Sequence, residues 1–222
     1  MPKYAAVTLI TLLSVALPRA AHSQLLLDDF STGPYSVRQS SGQDTNTQAG
    51  QMVGGERLTV FFVCPPGPCG ASNPFDQEAG FQIRPGSPSA LIYSAGYKTG
   101  PRVDVQYGTN TPLQLNLGQY DRFRVNFDGS DLFVNFNILV FTPSGWLQSG
   151  CNLAASTNPV SIDFPFADFL GPGTLDFTNI NAIDFIFQTS SAIGANDFAV
   201  TSFEAIPNAA PAAQITCHGI GT

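Results

Sequence analysis

Hydrophobic and polar residues alternate with a period of two along much of this chain. Leu113, Leu115 and Leu117 are separated by polar residues, and the segments around 58–62, 103–107, 123–127, 134–140 and 183–187 show the same alternation. A period of two is typical of β-strands that have one buried and one solvated face. The pattern therefore predicts antiparallel sheets with roughly ten to twelve short strands.

Turn-forming residues separate these segments. Asp128-Gly129-Ser130 lies between two strongly alternating stretches, so we predict a β-hairpin over residues 121–141. The polar residues 40–50 are expected to form a loop.

The composition excludes a helix bundle. The chain contains 21 Gly, 17 Pro and 18 Phe, whereas the strong helix formers Lys, Glu and Met are scarce. Two packed antiparallel sheets would bury this much Phe and Val, so we predict an all-β fold, a two-sheet β-sandwich of the jelly-roll type.

The N-terminal residues have the features of a secretory signal peptide. Lys3 precedes an apolar stretch over 5–17, and small residues at Ala21 and Ser23 predict cleavage before Gln24. The stretch is shorter than the ~20 residues that span a bilayer. We therefore expect a secreted protein, extracellular or periplasmic, with a signal peptide (1–23), a β-sandwich domain (24–206) and a Pro/Ala-rich tail (207–222).

The charge of the chain excludes one class of partner. The formal net charge is −7, and the few basic residues are scattered, so we expect no binding to nucleic acid. No segment after the signal peptide is apolar and long enough to be a transmembrane helix. Arg122 and Arg124 project from one strand face and could contact an acidic glycan, although pairing with aspartates is favoured.

All four cysteines follow the signal peptide: Cys64, Cys69, Cys151 and Cys217. An even number in an exported chain favours two disulfides over a zinc site, although three pairings are conceivable. The turn-forming interior of Cys64-Pro-Pro-Gly-Pro-Cys69 makes a local bridge geometrically easy, which leaves Cys151 to pair with Cys217.

Two parts of the chain resemble known exported bacterial jelly-roll proteins. The residues 26–35 (LLDDFSTGPY) resemble their opening strand, and several stretches within 166–207 resemble their closing strands. This pattern is similar to that of secreted proteins of the PEP-CTERM type and of galactose-binding-like carbohydrate-binding jelly rolls. The PEP-CTERM sorting tail itself is not found after Ile206. The resemblance implies a binding or structural module of the bacterial envelope or extracellular matrix.

The same resemblance implies a candidate metal site. Carbohydrate-binding relatives often hold a structural calcium between an acidic first strand and an acidic last strand, and Asp28, Asp29 and Asp197 are the matching candidates here. Ser31 and Thr201 depart from the pattern, because the relatives have acids there, and calcium prefers six to eight oxygen ligands. We expect no other cofactor.

The sequence contains no recognisable catalytic constellation. His218 is the only histidine after the signal peptide, which argues against a Ser-His-Asp or Cys-His arrangement. The acidic residues show no spacing that places two carboxylates on one strand face, as glycoside hydrolysis would need. We therefore predict a protein that is not an enzyme. A glycan-active hydrolase or lyase on the same fold and a purely structural surface protein remain the alternatives.

Carbohydrate is the favoured ligand, as a polysaccharide or glycan. Sugar binding uses flat aromatic faces together with amide groups. The candidate binding residues are Trp146, Tyr97, Tyr107, Asn135 and Asn137. The alternative is that Trp146 caps the core and that the asparagines are ordinary solvent-facing positions.

Overall fold

The computed structural model describes residues 23–64, 77–174, 176–189, 195–208 and 210–217. All but the last residue of the predicted signal peptide lie outside these ranges, as does Cys69. The described residues contain fourteen strands: β1 (Leu25–Asp28), β2 (Tyr35–Gln39), β3 (Gly42–Ala49), β4 (Glu56–Val63), β5 (Ala79–Arg84), β6 (Ala90–Ala95), β7 (Pro101–Tyr107), β8 (Tyr120–Ser130), β9 (Val134–Thr142), β10 (Gly145–Leu153), β11 (Val160–Pro165), β12 (Ala182–Gln188), β13 (Asn196–Pro207) and β14 (Ile215–Thr216). Two short 3-10 turns, Val53–Gly55 and Phe166–Asp168, are the helical segments.

The strands form two sheets that pack face to face. The eight-stranded sheet has the order β14-β11-β8-β13-β6-β5-β2, with β1 also paired to β13, and the six-stranded sheet has the order β10-β9-β12-β7-β4-β3. Neighbouring strands are antiparallel except for β11 and β14, which are parallel. The predicted all-β sandwich is thereby confirmed.

Phenylalanine side chains fill the space between the sheets. Phe185 of the six-stranded sheet stacks on Phe203 of the eight-stranded sheet, with ring centroids 3.8 Å apart. Phe136 and Phe187 stack at 4.5 Å, and all four side chains are fully buried. Aromatic pairs of this kind contribute about 0.5–1.5 kcal/mol beyond the area that they bury.

The predicted hairpin over 121–141 is wrong, because β8 and β9 belong to different sheets. The chain crosses from one sheet to the other at residues 131–133, and Phe127 of β8 meets Phe136 of β9 across the core, with centroids 6.1 Å apart. Alternation shows which side chains are buried but does not show whether two consecutive strands lie side by side or face each other. The hairpin near this position joins β9 to β10, with Gly145 paired to Thr142.

The predicted polar loop at 40–50 is also wrong, because residues 42–49 form strand β3. This strand lies at the edge of the six-stranded sheet and pairs with β4 along its whole length. Most of its side chains are exposed. An edge strand tolerates polar residues on both faces, which removes the alternation that would identify it.

The C-terminal residues 210–217 pack along the eight-stranded sheet. Arg124 forms two hydrogen bonds with Asp163, at 2.7 and 3.0 Å, and Arg122 Nε lies 2.9 Å from the same carboxylate. Both arginines also donate to the carbonyl of Pro211, and the amide of Ala213 donates to Asp163. The expected pairing of these arginines with aspartate is confirmed.

Cys151 and Cys217 form a disulfide, as predicted. It joins β10, at the edge of the six-stranded sheet, to the segment that follows β14 of the other sheet. Cys64 is disulfide-bonded as well, and its predicted partner Cys69 lies outside the described residues. No helix in the described part of the chain has the length and apolar character needed to cross a membrane.

Candidate ligand-binding face

The candidate site is the outer face of the six-stranded sheet, meaning the side chains of that sheet that point away from the core. Strand pairing brings residues from distant parts of the sequence into rows across this face. One row consists of Gln148, Leu139, Asp184, Gln106 and Leu58. The adjacent row consists of Gly150, Asn137, Ile186, Asp104 and Val60.

Three exposed apolar side chains gather at one corner of the outer face, and we call them the apolar corner. Trp146 of β10 lies directly opposite Phe141 of β9, and their exposed fractions are 38% and 37%. Leu170 is 58% exposed and pairs with Gln148 through two backbone hydrogen bonds. Paired residues in antiparallel strands point to the same side of a sheet, so Leu170 belongs to this corner.

Asparagine side chains occupy the outer face along β9 and β10. Asn135 donates a hydrogen bond to Asn152 at 2.8 Å, and Asn137 donates to Asn135 at 2.8 Å. These amides hold one another in fixed orientations and retain further donor and acceptor capacity. The arrangement presents a polar surface on the same face as the apolar corner, with Leu139 between Asn137 and Phe141.

Charged side chains lie at the centre of the outer face. Arg102 donates two hydrogen bonds to Asp104, at 2.6 and 2.9 Å. Gln106 donates to Oδ2 of Asp184 at 3.1 Å. Burial, reinforced by the negative charge of Asp104, raises the pKa of Asp184 to about 7.

A cavity of about 310 Å³ opens beside Asp184, and we call it the Asp184 cavity. Its lining includes Gln106, Gly108, Phe141 and Ala182. The glycine and the alanine leave space that larger side chains would fill. The cavity therefore lies between the carboxylate at the centre of the face and the ring of Phe141 in the apolar corner.

The structure brings three of the five predicted binding residues to this face. Trp146, Asn135 and Asn137 all lie on neighbouring strands β9 and β10. Tyr97 is exposed in the segment between β6 and β7, with the ammonium of Lys98 5.1 Å from its ring centroid. Tyr97 therefore lies near the end of β7 that begins at Pro101. The apolar corner lies beside Ala182, which is at the opposite end of the sheet.

Tyr107 is wrong as a ligand contact, because its side chain is fully buried in the core. It follows Val103 and Val105 on the inner side of β7, and its hydroxyl donates to Asp28 at 2.7 Å. Phe141, Gln106 and Asp184 were not predicted as site residues. Alternation along β7 and β12 marks the latter two as solvent-facing, but only the pairing of these strands brings them together.

The predicted calcium ligands do not come together. Asp28 is buried and is engaged by Arg57, Tyr107 and the amide of Phe30, so its carboxylate already has a cationic partner. Asp28 pairs with Phe203 on β13, and Asp197 lies six residues earlier on the same strand, roughly 20 Å away at ~3.3 Å per residue.

Asp29 bonds the amide of Ser31. In the described ranges, no group of three acidic, histidine or cysteine side chains could hold a metal ion.

Comparison with known proteins gives matches among solved structures alone. No protein-family model matches the chain, and no curated protein matches it. Among solved structures, it is similar to the family 11 carbohydrate-binding module of the cellulosomal cellulase Lic26A-Cel5E of Clostridium thermocellum, with a TM-score of 0.43 and 16% identity over 85% of this chain and 96% of that one.

It is also similar to the agarase AgWH50C, with a TM-score of 0.42 and 12% identity over 86% of this chain and 25% of that one. A third similar structure is TmCBM61 in complex with β-1,4-galactotriose, with a TM-score of 0.35 and 9% identity over 77% and 91% of the two chains.

Proposed function

We propose that this chain is an exported carbohydrate-binding module of the bacterial envelope or extracellular matrix, and that it binds a glycan on the outer face without catalysis. The observation that carries the proposal is the apolar corner beside the asparagines. Trp146 and Phe141 lie opposite each other on two strands, Gln148 is two residues from Trp146, and Asn137 is on the same face, about 13 Å along β9 from Phe141 at ~3.3 Å per residue.

This combination matches the two kinds of surface that a sugar ring presents. The C–H groups of the ring pack on aromatic or apolar side chains, and the hydroxyls bond to amides and carboxylates. Exposed aromatic residues that cluster next to polar groups mark ligand-binding surfaces more often than isolated ones do. Trp146, Phe141 and Leu170 are three of the seven large apolar side chains that are exposed in the described residues.

A further observation supports the exported part of the proposal. The disulfide between Cys151 and Cys217 is of a kind that persists in oxidising compartments.

A glycan array tests the proposal with the wild-type protein and the Trp146→Ala variant. We expect the wild type to bind at least one glycan class, and the variant to lose about tenfold or more in affinity, since stacking on a tryptophan supplies about 1–3 kcal/mol.

Leu26→Ala is the matched control, because Leu26 is an exposed apolar residue on the eight-stranded sheet and its loss should leave binding unchanged. Equal binding by wild type and Trp146→Ala would remove the apolar corner from the site, and reducing-sugar release from any bound polysaccharide would contradict the non-catalytic function.

A further inference from the structure

Asp184, which lines the Asp184 cavity, has an acceptor atom without a partner. Asp184 is only 7% exposed. Its Oδ2 accepts the hydrogen bond from Gln106, whereas its Oδ1 is buried and has no hydrogen-bond partner. Buried polar atoms are nearly always paired, so the unpaired oxygen of the ionised carboxylate lacks a donor.

The charges around the cavity favour a donor that is positively charged. Asp104 lies on the neighbouring strand of the same face, and its negative charge acts on Asp184. The basic group nearest to Asp184 in the strand register is the guanidinium of Arg102, and it is paired with Asp104. The side chain facing Asp184 from β9 is Leu139, which carries no charge.

An aromatic ring forms the opposite side of the cavity. Phe141 lines it and is directly opposite Trp146 on the next strand. Aromatic faces attract cations through the ring quadrupole, by about 0.5–2 kcal/mol. A carboxylate on one side and an aromatic ring on the other are the elements from which ammonium sites are built.

We propose that the Asp184 cavity is a subsite for the ammonium group of an amino sugar. This inference rests on the proposed glycan-binding function and names the class of sugar unit that the outer face prefers. The ammonium pairs with the carboxylate of Asp184 while Phe141 packs against the ring that carries it. Gln106 holds the other carboxylate oxygen and so fixes the orientation of Asp184.

Binding of two oligosaccharide series that differ only at the nitrogen tests the inference. Isothermal titration at about pH 6, where most amines of the oligomers are protonated, compares oligomers of β-1,4-linked glucosamine with the fully N-acetylated oligomers of the same length. We expect the wild type to bind the glucosamine oligomer about tenfold more tightly, and the Asp184→Asn variant to lose this preference. Asp197→Asn is the matched control, because Asp197 is an exposed acid on the other sheet, and the preference should survive there.

The outcomes separate this inference from the proposed function. Equal affinity for the two series, or a preference that persists in Asp184→Asn, overturns the ammonium subsite. If the N-acetylated oligomer binds equally well and its binding depends on Trp146, the glycan-binding face stands without the subsite. Binding of neither series, together with an empty glycan array, contradicts both.

Discussion

Among the single residues of the outer face, Asp184 is a carboxylate whose pKa is raised by the fold. The pKa of Asp184 is about 7 in the folded protein, whereas the ordinary value is 3.8. Between these two pH values the carboxyl is protonated in the folded state and ionised in the unfolded state. The ionisation of Asp184 therefore does not affect the free energy of unfolding below pH 3.8, and it lowers that free energy increasingly as the pH rises to about 7.

We therefore predict that Asp184→Asn raises the free energy of unfolding at about pH 8 by roughly 2–4 kcal/mol and leaves it almost unchanged at about pH 4. Urea denaturation of the two proteins at both pH values measures the difference. Equal stability of wild type and variant at the higher pH would contradict the raised pKa.

Asp28 is a second residue whose environment gives a prediction. Its carboxylate pairs with Arg57 inside the core, where neither side chain has exposed area. Removing one charge would leave the other buried and unpaired, so Asp28→Asn should lower the free energy of unfolding by about 3–5 kcal/mol. Asp29→Asn, in which the side-chain amide oxygen still accepts the hydrogen bond from the amide of Ser31, is the control and should cost at most about 1 kcal/mol. Similar losses in urea denaturation for the two variants would show that the buried pair is not stabilising.

The residues of the site could be predicted only in part from the sequence, and Tyr107 and Trp146 show why. Both are aromatic and both lie near strand ends, so composition treats them alike. The alternation Val103, Val105, Tyr107 already places the tyrosine on the buried side of β7. Trp146 follows the turn between β9 and β10, and the pairing with Phe141 is what shows that it faces solvent beside a second ring.

Among the larger elements, the C-terminal segment 210–217 is held by both ionic and covalent links. Asp163 of β11 contacts Arg122, Arg124 and the amide of Ala213, and Cys217 is bonded to Cys151 across 66 positions of sequence. A cross-link over such a long loop removes much of the conformational freedom of the unfolded chain.

We predict that replacing both Cys151 and Cys217 by serine lowers the free energy of unfolding by about 2–4 kcal/mol. Chemical denaturation of the variant beside the wild type, both without reductant, measures this loss. A variant as stable as the wild type would indicate that the contacts made by Asp163 suffice to hold the segment.

The connection between β8 and β9 shows what a strand pattern leaves open at the level of elements. Asp128-Gly129-Ser130 has the composition of a hairpin turn, yet Gly129 lies inside β8 and pairs with Ala199 of β13. The chain crosses the core after Ser130, where the amide of Asp131 donates to the carbonyl of Asp197. This connection depends on pairing with β13, which is remote in the sequence, and turn residues alone do not predict that pairing.

At the scale of the whole molecule, the two-sheet architecture was predictable because it depends on properties that every strand carries locally. Alternating Phe, Val and Leu with few helix formers leave a sandwich as the way to bury the apolar side chains. The outer face depends instead on register between strands far apart in sequence. Gln106 and Asp184 meet across 78 positions, and no local pattern specifies that pairing.

The outer face consists mainly of side chains on hydrogen-bonded strands, and this has a consequence for its thermodynamics. Asn135, Asn137 and Asn152 already hold one another before any ligand arrives. The entropy of ordering them is lost during folding and is not lost again on association. A pre-ordered surface of this kind would suit the proposed glycan as an extended polymer, whose successive units can occupy the same surface in several translational registers.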